Sequence, residues 1–189
     1  MSSTIVLVDL FNVGPGAKTD RDYEDLMTLV GDLIRGSLVN RTKSSEVHDI
    51  DCRLYGGFTS IRGTPTEQYS RTLKKIRLLR TLEDRVRIKP HIAKALALVP
   101  QAMLIGTYKN GGQKMVDQML ALDACHFAES AVYDRVCIIA NDDDYVPAVL
   151  TMSRKYQCPI SWLRKRATAE NDQWFGGTTV SMLYDGAWK

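Results

Sequence analysis

The stretch Arg135-Val-Cys-Ile-Ile-Ala-Asn-Asp-Asp-Asp-Tyr-Val-Pro147 joins an apolar run to three consecutive acids. Five apolar residues, 136–140, bounded by polar ones are typical of a buried strand. The carboxylates of Asp142, Asp143 and Asp144 repel one another at neutral pH, and a bound metal ion relieves that repulsion. Asp is also a preferred helix cap, and acids after a strand often cap the next helix. The stretch alone therefore leaves a metal site and a helix cap equally open.

The composition is that of an ordinary globular protein. The chain has 189 residues, 44% of them hydrophobic, and a formal net charge of +3. This length predicts a single domain, residues 1–189. The four cysteines form no C-x-x-C pair, so we expect reduced, buried thiols. No run approaches the roughly 20 apolar residues that span a bilayer, and the N-terminus does not resemble a signal peptide. We therefore expect a cytoplasmic protein without a membrane partner.

Predicted strands and helices alternate along the chain. Each strand is a short apolar or alternating run, and each helix has apolar residues at three- and four-residue spacing. The predicted strands are residues 5–8, 46–55, 86–92, 101–108, 136–140, 159–163 and 179–184, and the predicted helices are residues 23–39, 66–83, 113–130 and 146–156. This alternation predicts an α/β fold with a mainly parallel sheet.

A further acid ends the first predicted strand. Asp9 directly follows the apolar run 5–8, and Asn12 lies three residues further on, before a loop rich in Gly. In open α/β sheets, ligands bind at the carboxyl ends of the strands. Asp9 also suits the opening of a turn, and taken alone it is better explained in that way.

The predicted helix 113–130 begins with another acid. Lys114 and Asp117 are three residues apart and therefore share one side of this helix. The helix dipole stabilises an acid near a helix N-terminus, which explains Asp117 without a ligand. Asp123 lies six residues further on and on a different side of the helix, where we predict a partly buried, structural carboxylate.

Four of these carboxylates converge on one edge of the predicted sheet: Asp9, Asp117, Asp142 and Asp144. Their convergence favours a metal site, and without Cys or His nearby the oxygen donors suit Mg²⁺ or Mn²⁺ rather than Zn²⁺. Two such ions roughly 3.5–4 Å apart activate a water and stabilise the leaving oxygen of a phosphodiester. The chain has no G-x-S-x-G motif and no P-loop. We therefore expect hydrolysis by a metal-activated water without a covalent intermediate.

Two basic segments are candidate phosphate-contacting surfaces. The predicted helix 66–83 carries Arg71, Lys74 and Lys75 on its polar face. Arg164-Lys165-Arg166 follows the predicted strand 159–163. Such segments bind nucleic acid backbones, but they are just as often solvated surface, and the sequence leaves both interpretations open.

Three separated motifs resemble those of the NYN-domain family of PIN-like nucleases. They are Ile5-Val-Leu-Val-Asp9-Leu-Phe-Asn12, Lys114-Met-Val-Asp117 and Ile139-Ala-Asn-Asp142-Asp-Asp144-Tyr-Val-Pro147. The resemblance implies a PIN-like three-layer α/β/α sandwich and a metal-dependent endoribonuclease that uses Mg²⁺ or Mn²⁺. Asp9, Asp117, Asp142 and Asp144 would hold the metal. Asn12 would orient the surroundings of Asp9 or a metal-bound water, and Lys114 would contact the scissile phosphate.

The chain departs from the family pattern at two positions. Leu10 stands where family members usually have a small residue, and Asn141 stands where they usually have Gly. Both departures bear on the shape of the pocket, and Asp143 is an additional acid without an assigned role. Two other functions stay open, namely a non-catalytic RNA-binding or partner-docking module and a Toprim- or phosphatase-like phosphotransfer enzyme. The latter is disfavoured because the first strand ends in Asp-Leu-Phe-Asn. The sequence does not decide between RNA and DNA or exclude a homodimer.

Overall fold

The computed structural model describes residues 2–14, 16–39, 47–80, 82–83, 85–101, 106–165, 175 and 180–184. Its strands are β1 (Ser2–Asp9), β2 (His48–Tyr55), β3 (Thr59–Ser60), β4 (Leu82–Glu83), β5 (Val86–Ile92), β6 (Thr107–Lys109), β7 (Gly112–Lys114), β8 (Arg135–Ile139), β9 (Ile160–Arg164) and β10 (Val180–Tyr184). Its α-helices are α1 (Leu10–Val13), α2 (Asp20–Ile34), α3 (Glu67–Lys75), α4 (Val116–Ser130) and α5 (Val146–Lys155).

The larger sheet of the described strands has the order β10-β9-β8-β1-β2-β5-β4, and it is parallel except at the β5–β4 edge. β1 lies at the centre, between β2 and β8. From β1 the chain proceeds outward to β2 and β5, and it then returns to the other side of β1 for β8, β9 and β10. The strand order therefore reverses between β1 and β8. In doubly wound sheets, the crevice beyond the carboxyl ends of the strands at this point is where ligands bind.

Helices cover both faces of the sheet. Val6 and Val8 of β1 pack in one apolar cluster with α2, whereas Ile5 and Leu7 pack in a second cluster with α4 and α5. A strand with apolar residues at every position is expected where both faces of a parallel sheet are buried. The predicted three-layer α/β/α sandwich with a mainly parallel sheet is confirmed.

Most predicted elements lie close to the observed ones, but two helices are shorter than predicted. The predicted helix 66–83 is α-helical only to Lys75, continues as a 3₁₀ turn (Ile76–Leu79) and reaches β4. The predicted helix 113–130 begins only at Val116. Lys114 belongs to β7, so the prediction that it shares a helix with Asp117 is wrong.

β7 belongs to a second, small sheet with the order β3-β6-β7. β6 and β7 form a hairpin whose tip residues Asn110 and Gly111 have φ of 52° and 79°. Positive φ at both tip residues defines the type I′ turn, which matches the twist of a two-residue hairpin. The N–H of Gly57, just after β2, donates to Gln113 Oε1 over 2.6 Å and fastens the hairpin to the main sheet. Of the predicted strand 101–108, residues 102–105 lie outside the described residues.

Asp123 is the structural carboxylate that the sequence predicts. Its side chain is 1% exposed and accepts hydrogen bonds from the Tyr55 hydroxyl (2.7 Å) and the Ala97 N–H (2.6 Å). Arg53 Nε lies 3.2 Å from Asp123 Oδ2, the same oxygen that accepts the hydrogen bond from Tyr55. A buried carboxylate is stable when it is paired in this way, and here it joins α4 to β2.

Candidate functional site

Two acids and a tyrosine from distant parts of the chain meet at the carboxyl edge of the sheet. The Tyr145 hydroxyl lies 3.0 Å from Asp9 Oδ2 and 3.1 Å from Asp117 Oδ1. Asp9 ends β1 on the face of Ile5 and Leu7, because side chains alternate along a strand. That face is covered by α4, whose first turn contains Asp117. The three side chains therefore lie at the point where the strand order reverses.

Burial and a neighbouring acid raise the pKa of Asp9 to about 7. Asp9 is 2% exposed, and loss of hydration is the largest cause, followed by the negative charge of Asp117. Hydrogen bonds from Tyr145 and from the Asn12 N–H partly oppose this rise in pKa. The pKa of Tyr145 also lies well above its usual range because it is buried and faces both carboxylates. The Tyr145 hydroxyl therefore keeps its proton and acts as a hydrogen-bond donor.

The single hydroxyl proton of Tyr145 can be donated to only one carboxylate at a time. The paired acids then need either a further proton or a cation to balance their charge. Mg²⁺ is commonly held by one or two carboxylates, several waters and substrate phosphates, so Asp9 and Asp117 fit such an ion as its protein donors. Within the described part of the chain, no three or more His, Cys, Asp or Glu side chains form a group that could hold a metal.

The acidic stretch after β8 forms a capped turn. Asp142 accepts a hydrogen bond from the Asp144 N–H over 3.1 Å and caps the 3₁₀ turn Asp143–Tyr145. Asp144 is exposed. The helix-cap interpretation therefore describes Asp142 here, and the roles of Asp142 and Asp144 as metal ligands stay predictions. One effect of the turn is to direct the Tyr145 hydroxyl inward to Asp9 and Asp117.

Asn12 connects the two strands on either side of the crevice. Its side-chain oxygen accepts a hydrogen bond from the Asn141 N–H, while its own N–H donates to Asp9 Oδ1 over 3.4 Å. Asn141 Oδ1 in turn accepts from the Lys165 N–H over 2.7 Å. The ends of β1, β8 and β9 are thereby joined. A Gly in place of Asn141 could not make the bond to Lys165, so the side chain of Asn141 has a structural role.

Arg164 does not belong to a surface patch, and the prediction that it contacts RNA at the surface is wrong. It is 3% exposed, its guanidinium donates to the Asp143 carboxylate, and its Cζ lies 4.4 Å from the centre of the Trp162 ring. A planar cation of this kind stacks well on an aromatic face. Asp143, which the sequence leaves without a role, is thus an ion-pair partner. Lys165 is exposed, and Arg166 lies outside the described residues.

Acids neutralise much of the predicted basic face of α3. Arg71 donates to Glu67 and Asp20, and Lys75 donates to Glu24. Lys74 is exposed. Because Arg71 and Lys75 are each engaged by carboxylates, α3 offers less free positive charge than its sequence indicates, and the solvated-surface interpretation is favoured.

Tyr145 is the site residue that sequence reasoning misses. Tyr145 directly follows the acidic stretch in the sequence, but an aromatic residue before a helix is ordinarily assigned to the core. Tyr145 is indeed fully buried. A tyrosine buried next to acids normally directs its hydroxyl at a partner, and this is the signal that could have identified it.

No protein-family model matches the chain, and no curated protein matches it in sequence. In structure, the chain is similar to a protein of unknown function from Vibrio parahaemolyticus, known from a crystal structure. The two share 15% sequence identity with a TM-score of 0.50, over 98% of this chain and 94% of the other. At this identity the similarity concerns the fold alone. None of the described helices is both long and apolar enough to cross a bilayer.

Proposed function

We propose that this protein is a Mg²⁺- or Mn²⁺-dependent endoribonuclease whose catalytic centre is built on Asp9 and Asp117. The observation that carries the proposal is the convergence of these carboxylates on the Tyr145 hydroxyl, at 3.0 and 3.1 Å, where the strand order reverses. The three motifs that resemble NYN-domain nucleases contain these residues. The proposal includes a cytoplasmic location, which the free cysteines Cys52, Cys125, Cys137 and Cys158 support.

Each residue of the centre has a distinct task in this proposal. A bound divalent ion supplies Lewis-acid polarisation of the phosphodiester and activation of a water. Asp9 and Asp117 hold the ion, and Tyr145 fixes the direction of both carboxylates through its hydroxyl. Asn12 positions Asp9 and the loop after β8 relative to each other. Lys114, exposed at the end of β7, is close enough in the chain to Asp117 to contact a phosphate of the RNA.

Cleavage of a labelled RNA tests the proposal. Wild-type protein, Asp9→Asn and Asp117→Asn are compared with Mn²⁺, with Mg²⁺ and with EDTA. Loss of a metal ligand should lower the rate at least about 100-fold, because even partners of metal ligands contribute 10- to 100-fold. Asp32→Asn, an exposed acid on α2, is the matched control and should cleave like wild type.

A second measurement separates loss of metal from loss of folding. Mn²⁺ should raise the melting temperature of wild type and Asp32→Asn but not of Asp9→Asn, because a ligand stabilises only the state that binds it. Cutting that persists unchanged in Asp9→Asn and Asp117→Asn would exclude this centre. RNA binding without any metal-dependent cutting would instead indicate a non-catalytic RNA-binding module.

A further inference from the structure

The β6–β7 hairpin has two faces of different chemistry. Thr107 pairs with Lys114, so Lys109 and Lys114 project from one face, whereas Tyr108 and Gln113 project from the other. Tyr108 is 38% exposed, and both lysines are exposed. In the described part of the chain, neither lysine forms an ion pair. The hairpin therefore presents an accessible aromatic ring on one face and unneutralised positive charge on the other.

A groove of about 390 Å³ lies beside the Tyr108 face. Its lining includes Lys18 before α2, Tyr23 of α2, Gln68 and the Glu67–Arg71 ion pair of α3, and Tyr108 itself. Its volume is within the range of pockets that hold small ligands. Lys18 is exposed at its margin. Arg71 and Glu67 neutralise each other, so they add no net charge to the groove. Lys18 forms no ion pair among the described residues, and the groove therefore combines this one cation with the aromatic wall of Tyr108.

The position of the hairpin connects this groove to the candidate centre. β7 ends at Lys114, and Asp117 follows in the first turn of α4. At the base of the hairpin, Gly106 lies so close to Gly56 that an added Cβ would be 2.3 Å from the Gly56 carbonyl oxygen. This close approach and the type I′ turn fix the hairpin relative to the sheet edge. A chain bound along the hairpin would therefore continue toward Asp117.

We propose that the hairpin and the groove form a binding subsite for a single-stranded segment of RNA. Tyr108 stacks on a base, while Lys18, which lines the same groove, contacts a neighbouring phosphate. Bases in a duplex are already stacked and do not offer a free face, whereas single strands stack readily on exposed aromatic side chains. This inference rests on the proposed RNA substrate but not on catalysis, so the two can be tested separately.

Binding of a fluorescent single-stranded 12-nucleotide RNA in EDTA, measured by anisotropy, tests the subsite without cutting. Stacking of one base on an aromatic side chain is lost in Tyr108→Ala, and binding should weaken about 10- to 100-fold. Tyr108→Phe keeps the ring and should bind within about threefold of wild type. Tyr156→Ala, which removes a tyrosine after the far end of α5, is the matched control and should leave binding unchanged.

Salt dependence tests the phosphate contact of Lys18. The logarithm of the binding constant falls with the logarithm of the salt concentration, and the magnitude of this slope should decrease by about 0.7 in Lys18→Ala, as expected for one lost phosphate contact with a single strand. Lys155→Ala, a lysine at the end of α5, should keep the wild-type slope.

The outcomes separate the subsite from the nuclease. Wild-type affinity in Tyr108→Ala and Lys18→Ala would overturn the subsite. Absence of single-strand binding, or equal binding of the same RNA as a duplex, would also overturn it. If one of these results is found but the wild-type protein still cleaves RNA, only the subsite is refuted, and the nuclease proposal remains. Conversely, weakened binding by Tyr108→Ala in a protein that never cuts RNA would support the subsite and refute the nuclease.

Discussion

Replacement of Asp9 by Asn should stabilise the metal-free protein at high pH. The reason is the charge of Asp9: its native pKa is about 7, against 3.8 for an ordinary Asp, because burial and Asp117 disfavour ionisation. Between these two pH values the native state holds a proton that the unfolded state has lost. The free energy of unfolding therefore decreases as pH rises through this range.

The pKa values set the size of the effect. One pKa unit corresponds to about 1.4 kcal/mol, so ionised Asp9 costs the native state about 4 kcal/mol above pH 7 and almost nothing near pH 4. Asn cannot ionise but still accepts the hydrogen bond from Tyr145. We therefore expect Asp9→Asn to be more stable than wild type by about 4 kcal/mol at pH 8, or roughly 10 °C in melting temperature.

Urea denaturation in EDTA at several pH values between 4 and 8 provides the assay. The difference between variant and wild type isolates Asp9, because the other titrating groups are common to both. Asp123→Asn is the matched control, since it removes an equally buried acid that has Arg53 beside it. Breaking that pair should destabilise the protein by about 3–5 kcal/mol, the opposite sign. A difference between Asp9→Asn and wild type that does not change with pH would refute the reasoning.

Three further substitutions test other parts of the structure. Tyr145→Phe should lower the free energy of unfolding of the metal-free protein by about 2 kcal/mol in urea denaturation, because a hydrogen bond to a charged acceptor is lost. An unchanged free energy of unfolding would contradict the role of the hydroxyl between Asp9 and Asp117. Gly106→Ala should cost about 3 kcal/mol in the same assay, because its Cβ would meet the Gly56 carbonyl oxygen at 2.3 Å; wild-type stability would show that the approach is looser. Asn12→Ala should leave the Asn141 N–H without its acceptor and lower the free energy of unfolding by about 1 kcal/mol. The amide of Asn141 should then exchange its hydrogen faster, and unchanged exchange would refute the bond.

The core of the fold was predictable because its signals are local. The run at residues 5–8 and the stretch at 136–140 are apolar at successive positions, which indicates strands buried on both faces, and both lie in the central sheet. The hairpin was harder to predict. The turn at Asn110-Gly111 is visible in the sequence, but its short strands Thr107–Lys109 and Gly112–Lys114 are polar. Periodicity then assigns the second of them to the following helix.

The candidate site was predictable in part. Asp9 and Asp117 meet because strand ends and helix starts share one edge, which follows from the α/β pattern. Arg164 could not be placed in this way. A basic triplet ordinarily indicates surface, and only the three-dimensional arrangement puts Asp143 and Trp162 beside it. Likewise, the acids that pair with Arg71 and Lys75 come partly from α2, about 50 residues earlier in the chain. The sequence around α3 therefore does not indicate that its basic residues are neutralised.

The bridge between Asn12 and Asn141 has a consequence for the order of folding. Its two residues are 129 apart in sequence, and Tyr145 and Asp9 are 136 apart. Contacts of such separation form late, because a long loop must close before they can stabilise anything. A chain that has been synthesised only through β7 has one side of the crevice and half of the central sheet. The carboxylates are brought together with Tyr145 only when β8 pairs with the free edge of β1. The site is therefore complete only after the two halves of the sheet have joined.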